Sequence, residues 1–283
     1  MRAFDYERPD RLADALALIA DGGARPLAGG TDLVIRIRDG SIAPATVVDV
    51  KGIGEFSRDI RIEDGWLRIG ARTTMTDLLR DERIRRDYTA LAEAAAYVGS
   101  VQIRNRATLA GNICNASPAA DTAPALLAFE ARVVAVGQRG RRVIPLDDFF
   151  VRSGVTTLAP GDLVEAIEMP VRSGRRGSVH ARRTRRRGHD LASVTLAVAI
   201  DVEGVTRVSY GSVGPRPVLA IDDTGLLADP AADEDAVRDR LDEMFAAAAP
   251  SPTSMRASPE YRLAMLRVMG LRAVLDARKR IAS

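Results

Sequence analysis

Lysine is almost missing from this chain. Of 41 basic residues in 283, only Lys51 and Lys279 are lysine, and the rest are arginine. The choice of arginine at any one position therefore carries little meaning. Cysteine occurs once, at Cys114. That excludes an internal disulfide and an iron–sulfur cluster held by cysteines of this chain alone. Histidine occurs twice, at His180 and His189, both among arginines where a metal cation is disfavoured, so no metal site is expected. Aromatics make up 4% and the net charge is +3, which provides neither the stacking platform nor the field that nucleic acid calls for. No apolar run is long enough to span a membrane. The opening residues have no apolar export segment, so a cytoplasmic location is expected. The common nucleotide loops are missing too. Gly52-Ile-Gly54 lacks the third glycine of a dinucleotide fingerprint, and neither lysine follows a phosphate loop.

What is present is a pair of small-residue loops. The first is Pro26-Leu-Ala-Gly-Gly-Thr-Asp32 and the second Thr108-Leu-Ala-Gly-Asn-Ile-Cys-Asn-Ala-Ser-Pro-Ala-Ala-Asp121. Gly29, Gly30 and Gly111 allow positive φ and close approach of backbone to a ligand. Successive amides in such turns make a concavity for phosphate or pyrophosphate. Thr108 and Ser117 can donate to phosphate or ribitol oxygens, Asn112 can donate and accept, and Asp121 can accept from sugar hydroxyls. Alone, the first loop reads equally well as an ordinary helix-to-strand turn. The second carries more polar chemistry than a turn requires. Facing each other, the two could hold a dinucleotide along its length.

Along the chain, Asp10 is expected to cap a helix with Leu12, Leu16 and Ile19 on one face, ended by Gly22-Gly23. Asp32 to Arg38 alternates weakly, and Ala45 to Val50 reads as a buried strand. Ile60 to Glu63 and Trp66 to Gly70 form a hairpin about Asp64-Gly65. Met75–Leu79, Tyr88–Val98 and Thr122–Phe129 read as helices, and Arg132–Val136 with Arg141–Ile144 as a second hairpin. After Pro170, a polar glycine-rich stretch through Ser178 marks a candidate boundary. Beyond it lie a hairpin of Val194–Val202 and Val205–Val213 and helices over Asp233–Ala249 and Ser258–Ile281, the last capped by Ser258 with Pro259 at its first position. A small α+β second domain follows.

Ala28-Gly-Gly-Thr-Asp32, Gln102-Ile-Arg-Asn105, Ala107-Thr-Leu-Ala-Gly-Asn112 and Ser117-Pro-Ala-Ala-Asp121 together resemble the FAD-binding subunit of molybdenum hydroxylases. That family includes the medium subunit of carbon monoxide dehydrogenase and the flavin domain of xanthine dehydrogenase. The likeness runs from Phe4-Asp-Tyr-Glu-Arg-Pro9 nearly to the end of the chain. It implies an α+β protein with a vanillyl-alcohol-oxidase (PCMH-type) FAD-binding domain over 1–173, in subdomains of about 1–53 and 54–173. A CO dehydrogenase flavoprotein type C-terminal α+β domain would occupy 174–283. By the same match, Leu27, Ala28, Gly29, Gly30, Thr31 and Asp32 meet the FAD pyrophosphate through backbone amides. Thr108, Gly111 and Asn112 contact pyrophosphate and ribose, Asp121 contacts sugar hydroxyls, and Val164 lies near the flavin or adenine. Arg182 stands where the family usually has lysine, which changes hydrogen-bond geometry but keeps the charge. Ala110 stands where many relatives have a second glycine.

The role implied is that of an electron-relaying subunit with no catalytic acid or base of its own. Electrons would arrive from [2Fe–2S] clusters on a small partner, downstream of a molybdopterin dinucleotide on a large partner. They would leave through FAD for NAD or another acceptor, in a heterotrimer or its dimer. A stand-alone flavin oxidase of the same fold and a non-redox nucleotide-binding module stand as alternatives. The arginines from Arg182 to Arg187 admit a salt-bridged surface, a counter-charge for pyrophosphate and, last, nucleic-acid binding. Cys114 reads as a small loop residue, and Asp147-Asp148 as a strand-to-loop cap.

Overall fold

The structure is a computed structural model and describes residues 2–186, 188 and 190–282. Arg187 and His189 lie outside the described residues. The first segment carries β1 (Asp5–Glu7), α1 (Leu12–Ile19), β2 (Ala24–Leu27), α2 (Leu33–Arg38) and β3 (Thr46–Asp49). Its three strands form a parallel sheet with β3 between β1 and β2. Helix α1 is not capped by Asp10 as expected. Its first free amide, Leu12 N–H, is taken by the Glu55 carboxylate 43 positions away at 3.1 Å. The weak alternation of Asp32 to Arg38 is helical, because only Ile37 needs burial and Val34 and Ile35 remain half exposed.

The middle of the chain opens with β4 (Ile60–Glu63) and β5 (Trp66–Gly70). Five short helices follow: α3 (Met75–Arg80), α4 (Glu82–Asp87), α5 (Thr89–Ala96), α6 (Val101–Arg104) and α7 (Leu109–Cys114). Then come α8 (Thr122–Ala128), β6 (Arg132–Gly137), β7 (Gly140–Pro145), α9 (Leu146–Phe149), the small pair β8 (Phe150–Arg152) and β9 (Val155–Thr156), and β10 (Leu163–Pro170). The main sheet is antiparallel, ordered β4-β5-β10-β6-β7. Asp64 and Gly65 both have positive φ, 50° and 78°, as the tight hairpin turn requires. A bulge between Val164 and Ala166 changes which way β10 presents its side chains. Glu165 and Glu168 thereby reach the same guanidinium, Arg68, and Arg141 and Arg132 hold them from the next strands.

The last part is a four-stranded antiparallel sheet, β11 (Gly177–Arg183), β12 (Val194–Ile200), β13 (Thr206–Gly211) and β14 (Val218–Asp222), with α10 (Glu234–Met244) and α11 (Pro259–Ala282). Ser258 caps α11 by accepting from Tyr261 N–H at 3.2 Å, with Pro259 at the first position as expected. Strand β12 is buried on both faces, and its sequence says which face meets what. Val194, Leu196, Val198 and Ile200 fill the core under α10 and α11. Ala197 and Ala199 point the other way and join the core that holds α8. Small residues on that face let α8, buried along its whole length, lie close to the strand.

The outer edge of β11 is covered by α5 rather than by another strand. Ala90 N–H donates to Ser178 Oγ at 3.1 Å, and His180 N–H to Glu93 Oε2 at 2.8 Å. Arg280 of α11 pairs with Glu93 at 2.7 Å, and also donates to the Ser178 carbonyl. A free strand edge is thus turned into a joint. Gly177 starts that strand against α11, and a Cβ there would sit 1.9 Å from the Ala277 carbonyl oxygen. Gly177→Ala is expected to destabilise the protein by about 1–3 kcal/mol through forced backbone displacement. Gly54→Ala, whose Cβ meets only the Asp10 carbonyl at 3.6 Å, should stay within about 0.5 kcal/mol of the parent. Thermal melts of the two variants side by side check this.

Candidate functional site

Strand β2 ends at Leu27 and delivers Ala28 to Asp32 past the edge of the parallel sheet, just before α2. Gly30 has φ +77°, which a side chain would strain. Gly29 serves differently from the expectation. Its φ is not positive, but a Cβ on it would lie 2.2 Å from the Arg106 carbonyl oxygen. Backbone touches backbone there, and only glycine permits it. The amides of Gly29, Gly30, Thr31 and Asp32 find no acceptor among the described residues. Four neighbouring unpaired donors form a site in want of an anion or an acceptor-rich ligand.

The carbonyl side of this loop is tied down from behind. Lys51 Nζ donates to the Ala28 carbonyl at 3.1 Å and pairs with Asp49 at 2.6 Å. Asp49 also accepts from Tyr6 Oη at 2.6 Å. Burial alone would raise the Asp49 carboxyl, but hydrogen bonds from Lys51 and Tyr6 outweigh it and hold the group below the usual carboxylate range. One of the two lysines therefore shapes the loop. Its place two residues after a strand end carries no local signal of this.

The second loop contains a helix that its small residues disguise. Thr108 caps α7, its Oγ1 accepting from Gly111 N–H at 3.0 Å, so that lone pair serves the fold while its proton stays available. Gly111 is helical rather than positive in φ, and a Cβ on it would crowd the Thr108 hydroxyl at 2.9 Å. Leu109 N–H and Met75 N–H bond across to Thr73 and Ala107, which fixes the cap against the start of α3. Asn112 Oδ1 accepts from Thr122 Oγ1 at 2.5 Å, and its amide protons find no acceptor among the described residues. Ser117 Oγ accepts from Ala119 N–H at 3.3 Å and so stabilises its own turn.

The structure brings the two loops together. Besides the Gly29–Arg106 contact, Asn115 Nδ2 donates to Asp32 Oδ1 at 3.5 Å, and the Ala28 methyl faces Gly111. Asp121 lies next to Thr122 and so beside Asn112. Arg182 is not the solvated cation its neighbours suggest. Its side chain is 7% exposed, stacks on Tyr97 at 4.9 Å, donates to the Asp190 carbonyl and lies 3.4 Å from Asp121. Val164 is buried at the bulge of β10, the strand on which α7 packs. Cys114 sits against the core, and burial pushes its thiol up to about 12, which leaves it protonated and unreactive. Asp147 and Asp148 are not the expected strand-to-loop cap: both lie in the first turn of α9, neither side chain caps that helix, and Asp147 accepts from Arg216 at the surface. No group of His, Cys, Asp or Glu suited to a metal ion occurs among the described residues, and no helix among them is long and apolar enough to cross a membrane.

The family described as the FAD binding domain in molybdopterin dehydrogenase matches residues 2–172. The chain belongs to this family. The CO dehydrogenase flavoprotein C-terminal domain matches residues 180–277. Among curated relatives, the xanthine dehydrogenase FAD-binding subunit of Escherichia coli is 30% identical over 96% of this chain and 95% of its own. The carbon monoxide dehydrogenase medium chain of Afipia carboxidovorans is 30% identical over 98% of both chains. The fold matches a chain of reconstituted CO dehydrogenase from Oligotropha carboxidovorans with a TM-score of 0.91, at 30% identity over 99% of both chains.

The scaffold behind the first loop has a pH signature. A depressed carboxyl stabilises the fold above its unfolded pKa and loses that contribution as pH falls through the folded value. Asp49→Asn should therefore melt below the wild type at neutral pH. The gap should close as pH drops below the ordinary aspartate value of about 3.9. Equal melting temperatures at neutral pH would contradict the role given to Asp49.

Proposed function

We propose that this chain is the FAD-binding, electron-relaying subunit of a molybdenum hydroxylase and that the two loops hold the dinucleotide between them. The observation that carries the site assignment is the Gly29–Arg106 contact, which joins the loops while the amides of Gly29 to Asp32 find no acceptor among the described residues. The residues present fit FAD. Unpaired amides suit the pyrophosphate, and the Asn112 amide and the Thr108 hydroxyl proton suit phosphate or ribose oxygens. Asp121 suits sugar hydroxyls, and Val164 offers an apolar surface to a ring. Arg182 supplies a buried positive charge beside Asp121.

When bound, FAD supplies the redox chemistry, accepting electrons singly and passing them on singly or in pairs. The chain's own residues bind, orient and shield it, and none acts as acid or base on the hydroxylated substrate. The relatives' names range from xanthine to carbon monoxide dehydrogenase, a purine and a gas, on chains that this one matches over 95% and 98% of their length. Substrate choice therefore belongs to a large molybdopterin-binding partner, with a small [2Fe–2S] partner passing electrons to this chain. Full-length likeness to medium subunits favours such a complex, a heterotrimer or its dimer in the cytoplasm, over a stand-alone oxidase. We assign the FAD-binding domain to 1–173, with subdomains of about 1–53 and 54–173, and the flavoprotein C-terminal domain to 174–283. The two apolar cores support that division.

The purified chain, supplied with FAD, should show flavin absorption that dithionite bleaches and denaturation releases. Gly29→Ala and Asn112→Ala should each weaken FAD retention about tenfold or more, the factor that corresponds to about 1.4 kcal/mol, with circular dichroism unchanged. Full flavin occupancy in both variants would refute the site.

A further inference from the structure

Asp121 occupies the N-cap of α8, where an aspartate ordinarily turns its carboxylate onto the helix amides. Here it makes no capping bond. The carboxylate turns instead toward the C-terminal sheet and is held from there. Thr195 Oγ1 on β12 donates to Asp121 Oδ1 at 3.3 Å. His180 Nε2 on β11 lies 3.0 Å from Thr195 Oγ1 and 3.4 Å from the same carboxylate oxygen. Arg182, two residues along β11, approaches Oδ2 at 3.4 Å. Thr195 and the His180 side chain are both 0% exposed.

The donor and acceptor roles at Thr195 follow from its single proton. The single hydroxyl proton of Thr195 goes to the carboxylate, so its oxygen accepts from His180 Nε2–H. That arrangement puts a proton on His180 Nε2, with Tyr97 beside the ring, while Nδ1 is buried with no partner among the described residues. The loop that carries Asp121 is clamped to the same sheet. Ser212 N–H donates to the Pro118 carbonyl at 2.7 Å, and Gly211 has no Cβ that would press on that oxygen from 2.9 Å. Three polar neighbours leave a carboxylate lone-pair capacity for a ligand, and Asp121 keeps 8% of its surface open.

We propose that Thr195 and His180 are positioning residues for FAD. The hydrogen-bonded line from His180 through Thr195 sets the Asp121 carboxylate against the sugar hydroxyls of the dinucleotide. The C-terminal sheet thus governs the affinity of a site that belongs to the FAD-binding family segment. This rests on the reading of Asp121 as a sugar contact.

The test is FAD titration of the full chain, alone or with its partner subunits, followed by flavin fluorescence. Thr195→Val removes the hydroxyl at nearly constant volume and should weaken FAD binding about tenfold. Thr195→Ser, which restores a hydroxyl, should return affinity to within about twofold of the wild type. In an Asp121→Ala background, Thr195→Val should cost nothing further, because its effect passes through the carboxylate. Equal penalties for Thr195→Val in both backgrounds would mean a general packing role and would overturn the proposal. So would wild-type affinity in Thr195→Val while Asp121→Ala binds weakly. Wild-type affinity in Asp121→Ala itself would overturn the sugar-contact reading instead.

Discussion

Everything about the site depends on one close approach. At Gly29 the backbone of the first loop rests on the backbone at Arg106, with no room for a methyl group between them. Two segments nearly eighty residues apart become one wall, and the amides of Gly29 to Asp32 find no acceptor among the described residues. Unpaired backbone donors are costly when dry, so such a cluster is stable only in contact with water or with a ligand that brings acceptors. The Lys51–Asp49–Tyr6 chain fixes the opposite side of the loop by holding its Ala28 carbonyl. The loop is thus constrained on its carbonyl side and open on its N–H side, which is the polarity an anion needs.

A second constraint acts from the far end of the chain. The alternation of large and small residues on β12 lets a single strand serve two cores, aliphatics toward α11 and alanines toward α8. Helix α5 closes the edge of β11 with Glu93, Ala90 and the Ser178 hydroxyl. The segment from Ser117 to Asp121 is caught in this junction, so contacts to the C-terminal sheet hold it in addition to its own turn bonds. Candidate site residues from the first half of the chain are held in place by the second half. The C-terminal sheet thus braces the candidate site through its contacts with Asp121.

The parts legible in the sequence are those governed by local chemistry. Asp64-Gly65 announced a hairpin because its turn needs positive φ twice, and Ser258-Pro259 announced a helix start. The paired loops were legible because glycine, hydroxyl and carboxylate cluster there at a density no plain turn requires. What stayed hidden depends on distant partners. Glu55 rather than Asp10 serves the first turn of α1. Helix α2 mimics alternation because its apolar residues are partly exposed. The α7 helix was concealed by glycine and asparagine, whose low helix propensity the Thr108 cap and the core beneath override. Nothing near Lys51, Thr195 or His180 marks them as neighbours of the site, since each reaches it across a strand or a sheet.

The most direct measurement is a crystal structure of this chain with FAD bound. Pyrophosphate oxygens are expected within hydrogen-bonding distance of amides in Gly29 to Asp32 and of the α7 start. A sugar hydroxyl is expected on the Asp121 carboxylate. A pyrophosphate bound elsewhere, with those amides facing only solvent, would contradict this site.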